Sequence, residues 1–178
     1  MKLLFHICCA PCAGYLTKEF FKDFEPVLFF YNPNVWPEQE YEKRLAEVEK
    51  FCQQEKIELI IGQYENEKWF EAVRGHEQDP EAGERCQICF QMRLERTAQK
   101  AKELGIKYFS TSLAVSPYKN LTVIKKIGQK IADEHKLQFV VFDEIQKKDL
   151  WPKSRNYSQQ QHFYHQPYCG CVYSFRKP

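Results

Sequence analysis

Short apolar runs alternate along this chain with longer stretches in which apolar residues recur at helical spacing. Five runs have strand length, at residues 2–7, 26–31, 57–62, 107–113 and 138–143. Helices are predicted between and after them at residues 13–24, 39–54, 66–74, 88–104 and 121–134. In the second helix the predicted buried stripe is Tyr41, Leu45, Val48 and Cys52. This alternation is typical of an α/β domain with right-handed crossovers.

The predicted sheet has five mainly parallel strands in the order 3-2-1-4-5, with the first strand central. Sheets of this kind bind ligands beyond the carboxyl ends of their strands, where the strand order reverses. Cys8 follows the first strand directly and therefore marks the expected site. We expect residues 1–178 to form a single domain. Residues 144–178 have no clear periodicity, and we expect an irregular, aromatic and basic C-terminal segment that packs over the active edge.

Charge is distributed unevenly along the chain, although the net charge is only +2. Residues 1–118 carry 15 Lys and Arg against 19 Asp and Glu, whereas residues 119–178 carry 11 against 5. A basic C-terminal third suits an anionic partner, most often nucleic acid, although solvated helix faces explain it equally well. No apolar run approaches the roughly 20 residues of a membrane helix, and no signal peptide is evident. We therefore expect a cytoplasmic protein.

Eight cysteines are too many for chance packing in a chain that has no mark of secretion. Cys52 lies on the apolar stripe of its helix and is expected to be a core residue. The other seven form three motifs near predicted loop–helix boundaries, namely Cys8-Cys9-Ala10-Pro11-Cys12, Cys86-Gln87-Ile88-Cys89 and Cys169-Gly170-Cys171. Helix N-termini stabilise thiolates, which are the form that ligates metal. The motifs predict a cysteine-ligated metal centre.

The spacing of these cysteines leaves three kinds of chemistry open. The pair Cys86 and Cys89 suits zinc, an iron–sulfur cluster or dithiol exchange. Cys9 and Cys12 have the position of a thioredoxin-type pair, but a thioredoxin leaves five thiols without a role. An iron–sulfur cluster with a second thiol group beside it uses all seven thiols and is favoured. A thioredoxin-like thiol oxidoreductase and a zinc-binding module remain the alternatives.

Five motifs in this order resemble the QueH-type epoxyqueuosine reductases. They are His6-Ile-Cys-Cys-Ala-Pro-Cys12, Tyr31-Asn-Pro-Asn34, Glu84-Arg-Cys-Gln-Ile-Cys89, Ser116-Pro-Tyr-Lys-Asn120 and Tyr168-Cys-Gly-Cys171. The resemblance spans nearly the whole chain and implies a Rossmann-like (HUP-like) fold. It also implies reduction of epoxyqueuosine to queuosine at the wobble position of tRNA, without cobalamin, as the last step of queuosine biosynthesis.

The resemblance implies roles for individual cysteines. Cys8, Cys9, Cys86 and Cys89 would hold a [4Fe–4S] cluster, and Cys12 would be a ligand to an additional adjacent iron. Cys169 and Cys171 would be a redox-active pair able to form a disulfide bond. The substrate pocket is expected to include Tyr118, Lys119, Asn120 and Tyr168, the last also as a candidate proton donor. His6 is expected to be a core residue rather than a catalyst.

Two partners follow from this resemblance, a tRNA that carries epoxyqueuosine and a one-electron donor such as a ferredoxin or flavodoxin. We expect a monomer. The residues expected to contact phosphates are Lys147, Lys148, Lys153, Arg155, Arg176 and Lys177. The aromatic residues expected to stack on an unpaired anticodon base are Trp151, Tyr157, Phe163 and Tyr164.

Overall fold

A five-stranded parallel sheet forms the centre of the computed structural model, which describes residues 1–175. The strands are β1 (Lys2–Ile7), β2 (Glu25–Phe30), β3 (Leu59–Ile61), β4 (Tyr108–Thr111) and β5 (Gln138–Phe139). Their order is β3-β2-β1-β4-β5 and every neighbouring pair is parallel, which confirms the predicted topology. Central β1 is fully buried from Leu3 to Ile7, so its carboxyl end delivers Cys8 to the middle of one sheet edge.

Six α-helices connect or flank these strands within the described residues. They are α1 (Ala10–Tyr15), α2 (Glu38–Glu55), α3 (Asn66–Ala72), α4 (Glu84–Glu103), α5 (Leu121–His135) and α6 (Glu144–Gln160). Helix α1 begins earlier than predicted because Pro11 is well tolerated in a first helical turn, and it continues as a π-helical turn over Leu16–Phe20. Helix α4 also begins earlier, at Glu84, so Cys86 and Cys89 lie within its first two turns.

The prediction of an irregular segment from residue 144 onward is wrong for its first half, which is helix α6. Asp143 begins this helix with a reciprocal capping box, in which its carboxylate accepts from the backbone of Gln146 at 2.7 Å. The buried face of the helix consists of Lys147, Leu150, Ser154 and Ser158. Three of these four residues are polar, so the helix has no apolar stripe for a periodicity search to detect.

Helix α6 packs closely on α1 because Gly14 leaves room for two aromatic rings. A Cβ atom at Gly14 would lie 2.7 Å from Cε1 of Tyr157 and 3.1 Å from Cε2 of Phe163. These two rings are therefore held against α1, and their stacking on a tRNA base stays a prediction. Because α1 begins at the end of β1, this contact brings α6 beside the carboxyl edge of the sheet. No helix in the described part of the chain has the length and apolar character needed to span a membrane.

Candidate functional site

Three cysteine sulfurs meet at the end of the central strand. The Sγ atoms of Cys8, Cys9 and Cys12 all lie within 4.8 Å of one another, and those of Cys8 and Cys9 are 3.6 Å apart. Cys9 has extended backbone and precedes α1, whereas Cys12 lies in the first turn of that helix. A residue just before a helix and one three positions later share a face, which brings their sulfurs together.

Hydrogen bonds among these three thiols place negative charge on one sulfur. Hydrogen bonds from Cys12 and Cys9, with the cations Arg93 and Lys119 nearby, hold the pKa of Cys8 well below its usual range. Donation to Cys8 raises the pKa of Cys12. The hydrogen bond from Cys12 lowers the pKa of Cys9, but donation to Cys8 and burial outweigh it and raise that pKa to about 12. The group therefore shares one thiolate and presents it as a metal ligand.

Four further thiols line a second, smaller cavity between α4 and the C-terminal segment. These are Cys86, Cys89, Cys169 and Cys171, and the same cavity is also lined by Trp69, Arg85, Arg93 and Lys119. Burial raises the pKa values of Cys86 and Cys89, and it raises that of Cys171 to about 11. All eight cysteines are free in this structure, so the disulfide bond that Cys169 and Cys171 were expected to be able to form is not seen.

The larger cavity has a volume of about 280 Å³ and opens beside the first group of thiols. Cys8, Cys12 and Cys169 line it together with Ser112, Tyr118, Lys119, Trp151, Arg155, His165, Gln166 and Tyr168. Three of the four predicted pocket residues are among them. Asn120 lines neither cavity, because its side chain accepts a hydrogen bond from the backbone of Val123 and begins α5.

The two cavities share walls, and this brings all three cysteine motifs to one region of the molecule. Tyr118, Lys119 and Cys169 line both cavities. Within the described residues, Cys86 and Cys89 do not join the sulfurs of the first group at the separation suited to a single ion. An iron–sulfur cluster spreads its thiolate ligands over several irons, so ligands that line two adjoining cavities suit it better than they suit one zinc ion.

Arg93 is a buried cation that sequence analysis did not select. It is only 1% exposed, and its Nη2 donates to Oδ1 of Asn32 at 2.5 Å. It lies close enough to Cys8 to contribute to the low pKa of that thiol, and close enough to Cys89 to oppose the rise in pKa that burial causes there. The spacing 86, 89, 93 places this arginine on the cysteine-bearing face of α4, a signal present in the sequence.

His6 is a core residue, as predicted. Its Nε2 donates to the carbonyl of Tyr31 at 3.0 Å, and the Thr111 hydroxyl donates to Nδ1 at 2.8 Å. Burial and the neighbouring Arg93 lower the pKa of His6 to about 3, so the ring is neutral. The approach of Arg93 Nε to His6 Nε2, at 3.4 Å, is then a contact between two donors. His6 therefore links central β1 to the residue after β2 and to the last residue of β4.

Several predicted contacts with tRNA are already engaged inside the protein. Lys147 is buried and donates from Nζ to the carbonyl of Lys119 at 2.7 Å, so its prediction as a phosphate ligand is wrong. The hydroxyl of Tyr168 donates to the carbonyl of Trp36, and this occupies the proposed proton donor while its ring lines the cavity. Tyr164 donates from its hydroxyl to Glu40 at 3.1 Å.

The residues left at the mouth of the larger cavity are basic and aromatic. Arg155 and Trp151 both line it, and the guanidinium carbon of Arg155 lies 5.9 Å from the centre of the Trp151 ring. Lys148 is exposed, and Lys153 pairs with Asp149 at 2.6 Å. Arg176 and Lys177, which were also predicted to bind phosphate, lie outside the described residues.

The parallel sheet and its thiol-lined edge define a Rossmann-like α/β protein with a site suited to metal binding and redox chemistry. The chain belongs to the family whose model is described as epoxyqueuosine reductase QueH, which matches residues 3–177. This confirms the resemblance carried by the five motifs.

Individual relatives support the same assignment. The chain is 39% identical over 98% of its length to the epoxyqueuosine reductase QueH of Acinetobacter baylyi and covers 81% of that protein. It is 38% identical over 97% of its length to the Thermotoga maritima protein of the same name and covers 89% of it. A solved structure described as a predicted tRNA methyltransferase subunit from Methanocaldococcus jannaschii has a TM-score of 0.54 at 12% identity, covering 90% of this chain and 88% of that one. That likeness shows the fold alone.

Proposed function

We propose that this protein reduces the epoxide of epoxyqueuosine in tRNA to the alkene of queuosine, in the cytoplasm and without cobalamin. Its membership of the epoxyqueuosine reductase family supports the substrate. The observation that carries the chemistry is the convergence of three separate cysteine motifs: six thiols line two cavities with shared walls, and the seventh, Cys9, lies within 4.8 Å of Cys8 and Cys12.

The thiols fit an iron–sulfur cofactor. Cys8, Cys9, Cys86 and Cys89 would hold a [4Fe–4S] cluster, and Cys12 would bind an additional iron beside Cys8. When bound, the cluster supplies electrons singly at low potential. Arg93 lies near both cysteine pairs and offsets the negative charge of such a group. A structural zinc ion has no comparable need for seven thiols in a domain with its own buried core.

The Cys169 and Cys171 dithiol accounts for the stoichiometry of the reaction. Conversion of an epoxide to an alkene consumes two electrons and two protons and releases the oxygen as water. Oxidation of two thiols to one disulfide supplies two electrons and two protons, so each turnover balances without another reductant. An external one-electron donor of the ferredoxin or flavodoxin class then restores the dithiol in two steps. Cys169 lies on the wall of both cavities, where it can meet substrate and metal centre.

Lys119 is the residue best placed to stabilise the epoxide oxygen as its bond to carbon breaks. Burial lowers the pKa of this lysine, but the nearby Cys169 and Cys8 raise it more, so the side chain is an ammonium ion. A fixed cation beside the reacting oxygen stabilises developing negative charge. The backbone carbonyl of Lys119 is held by Lys147, which fixes the turn that carries it.

Recognition of tRNA requires that the modified base leave the anticodon stack and enter the larger cavity. Trp151 offers a flat surface to such a base, and Arg155 beside it offers a charge to the adjoining phosphate. Lys148 adds an exposed cation on the same helix. We propose that residues 144–178 form the tRNA-binding segment over the active edge and that the enzyme acts as a monomer.

Anaerobic purification followed by assay on tRNA that contains epoxyqueuosine tests this function. We expect a brown protein with about four or more irons per chain and conversion of the nucleoside to queuosine after chemical reduction. Cys86→Ser should lose iron and activity. Cys52→Ser, a buried thiol on α2 outside both cavities, should keep both. A colourless zinc protein contradicts the cluster assignment, and a loaded protein that leaves epoxyqueuosine intact contradicts the reaction.

A further inference from the structure

Arg44 is a buried cation on α2 whose hydrogen bonds end on the backbone of the Cys169-Gly170-Cys171 motif. The residue is 1% exposed. Its Nη1 donates to the carbonyl of Cys169 at 3.1 Å, and its Nη2 donates to the carbonyl of Tyr168 at 3.3 Å. Glu40, one helical turn earlier, accepts from Nε at 2.7 Å. The guanidinium is therefore oriented by one carboxylate and directs its two remaining edges at the motif.

The next carbonyl along the motif is also held. The backbone N–H of Trp36 donates to the carbonyl of Gly170 at 2.9 Å. Three consecutive carbonyls, at residues 168, 169 and 170, thus accept from fixed donors on α2 and on the loop before it. Gly170 has a φ of +110°, and a Cβ atom there would lie 2.9 Å from Nη1 of Arg44 and 3.0 Å from Val35. Gly170 therefore leaves no room for a side chain between the motif and Arg44.

On the side of the motif, these contacts use backbone carbonyls alone, so neither sulfur takes part in them. Cys169 and Cys171 line the smaller cavity together with Cys86 and Cys89. Two cysteines separated by one residue reach each other, a metal or a substrate only from particular backbone conformations, because sulfur geometry is restrictive. The conformation of the intervening glycine therefore decides where both sulfurs point.

We propose that Arg44 is a positioning residue that fixes the Cys169-Gly170-Cys171 loop so that both thiols face the cavities. This inference rests on the proposed redox role of that pair. Arg44 holds two carbonyls with one planar group, which lysine cannot do with a single ammonium. Glu40 contributes by orienting Arg44. Its second oxygen accepts a hydrogen bond from Tyr164, so the Glu40–Arg44 pair is also linked to the C-terminal segment.

The test compares Arg44→Gln and Arg44→Lys with the wild type in two assays. One is the rate at which iodoacetamide alkylates Cys169 and Cys171 in the anaerobic protein, followed by peptide mass spectrometry. The other is the split between kcat and KM for tRNA that contains epoxyqueuosine. Arg96→Gln is the matched control, because Arg96 pairs with Glu103 on the surface of α4, away from the motif.

For Arg44→Gln we expect faster alkylation of both thiols and a fall in kcat on the order of 10²-fold, with KM nearly unchanged, because misplaced reactive groups slow chemistry more than binding. Arg44→Lys should resemble Arg44→Gln, since it restores the charge but not the two-carbonyl contact. Arg96→Gln should match the wild type. If Arg44→Gln does not fold, Glu40→Gln provides the same test, with smaller changes in the same direction.

Wild-type alkylation rates in Arg44→Gln, or full rescue of kcat by Arg44→Lys, would overturn the positioning role. Failure of the proposed function is separately visible. In that event the wild type does not convert epoxyqueuosine, whereas the alkylation assay still reports whether Arg44 holds the loop.

Discussion

Gln166 donates a hydrogen bond from Nε2 to the Sγ of Cys9 across 3.0 Å. This contact joins residues 157 positions apart and brings the segment after α6 directly onto the motif that follows β1. Cys8 is served in a similar way by Ser112, whose hydroxyl donates to its sulfur at 3.5 Å. Cys8 and Cys9, which follow the central strand, therefore each accept a hydrogen bond from a distant part of the chain.

Loss of the Gln166 contact should make the metal centre harder to reduce. An N–H donor stabilises the more negative, reduced form of a thiolate-ligated cluster, so Gln166→Leu should lower its midpoint potential on the order of tens of millivolts. Redox titration followed by electron paramagnetic resonance measures the change. Gln161→Leu, at the exposed end of α6, is the control and should leave the potential unaltered. If the midpoint potential of Gln166→Leu equals that of the wild type, the Gln166 amide does not affect the metal centre through Cys9.

Replacement of Lys119 should slow the chemical step. Lys119→Met removes the ammonium between the two cavities while keeping much of the side-chain volume, and we expect single-turnover reduction to fall on the order of 10²–10³-fold. Rapid quench followed by nucleoside analysis provides the rate. Lys126→Met removes an exposed lysine from the neighbouring helix α5 and should react at the wild-type rate. Equal rates for the two variants would rule out the electrostatic role of Lys119.

A methyl group at Gly14 should separate α6 from α1. In Gly14→Ala the new Cβ would overlap the ring of Tyr157, at 2.7 Å, so we expect a loss of about 1–3 kcal/mol in the free energy of unfolding. Urea denaturation measures this loss, and limited proteolysis should cut first near α6. Thr122→Ala, at an exposed position of α5, should change stability by less than about 0.5 kcal/mol. Unaltered stability in Gly14→Ala would show that the two helices adjust freely.

The link between Tyr31 and Glu65 should add stability that depends on pH. The Tyr31 hydroxyl donates to Glu65 at 2.8 Å, and hydrogen bonds from Lys68 and then Tyr31 lower the pKa of Glu65. A carboxyl whose pKa is lowered by folding stabilises the protein above its unfolded pKa of about 4.3, and this contribution is lost as the pH falls through its folded pKa.

Glu65→Gln should therefore reduce the free energy of unfolding by about 1 kcal/mol at pH 7 and by much less in acid. Urea melts at several pH values measure the difference. Glu67 is exposed in the first turn of α3, the helix that Glu65 precedes. For Glu67→Gln, the free energy of unfolding should vary with pH in the same way as it does for the wild type. A loss that is the same at every pH would mean that the effect of Glu65→Gln is steric.

The sheet could be predicted because its inner strands, β1, β2 and β4, are largely buried and therefore mostly apolar. Helix α6 could not, because it is buried through small polar residues such as Ser154 and Ser158, which resemble surface residues in a sequence. The stripe of α2 shows a related error. Leu45, predicted to be buried, is only partly so, while the charged Arg44 beside it is enclosed. A hydrophobicity pattern assigns cations to solvent and cannot detect one that is paired inside.

The first two cysteine motifs could be assigned to a common site because parallel strands end, and the helices that connect them begin, at the same sheet edge. What the motifs do not encode is which sulfurs become nearest neighbours. Cys12 lies with Cys8 and Cys9, since one helical turn brings it back to them, whereas Cys86 and Cys89 face the cavity that contains Cys169 and Cys171. Buried partners such as Arg93 and Gln166 come from tertiary packing, which no local spacing specifies.

The first cysteines of the site lie near residue 8 and the last near residue 171, so parts of the chain that are far apart in sequence meet at one sheet edge. During synthesis from the N-terminus, the central strand and the thiols that follow it emerge early. Cys169 and Cys171, and the carbonyls to which Arg44 donates, emerge after all five strands. A nascent chain therefore contains every strand of the sheet before it contains the last cysteine motif of the site. The three cysteine motifs therefore come together only after every strand of the sheet has been synthesised.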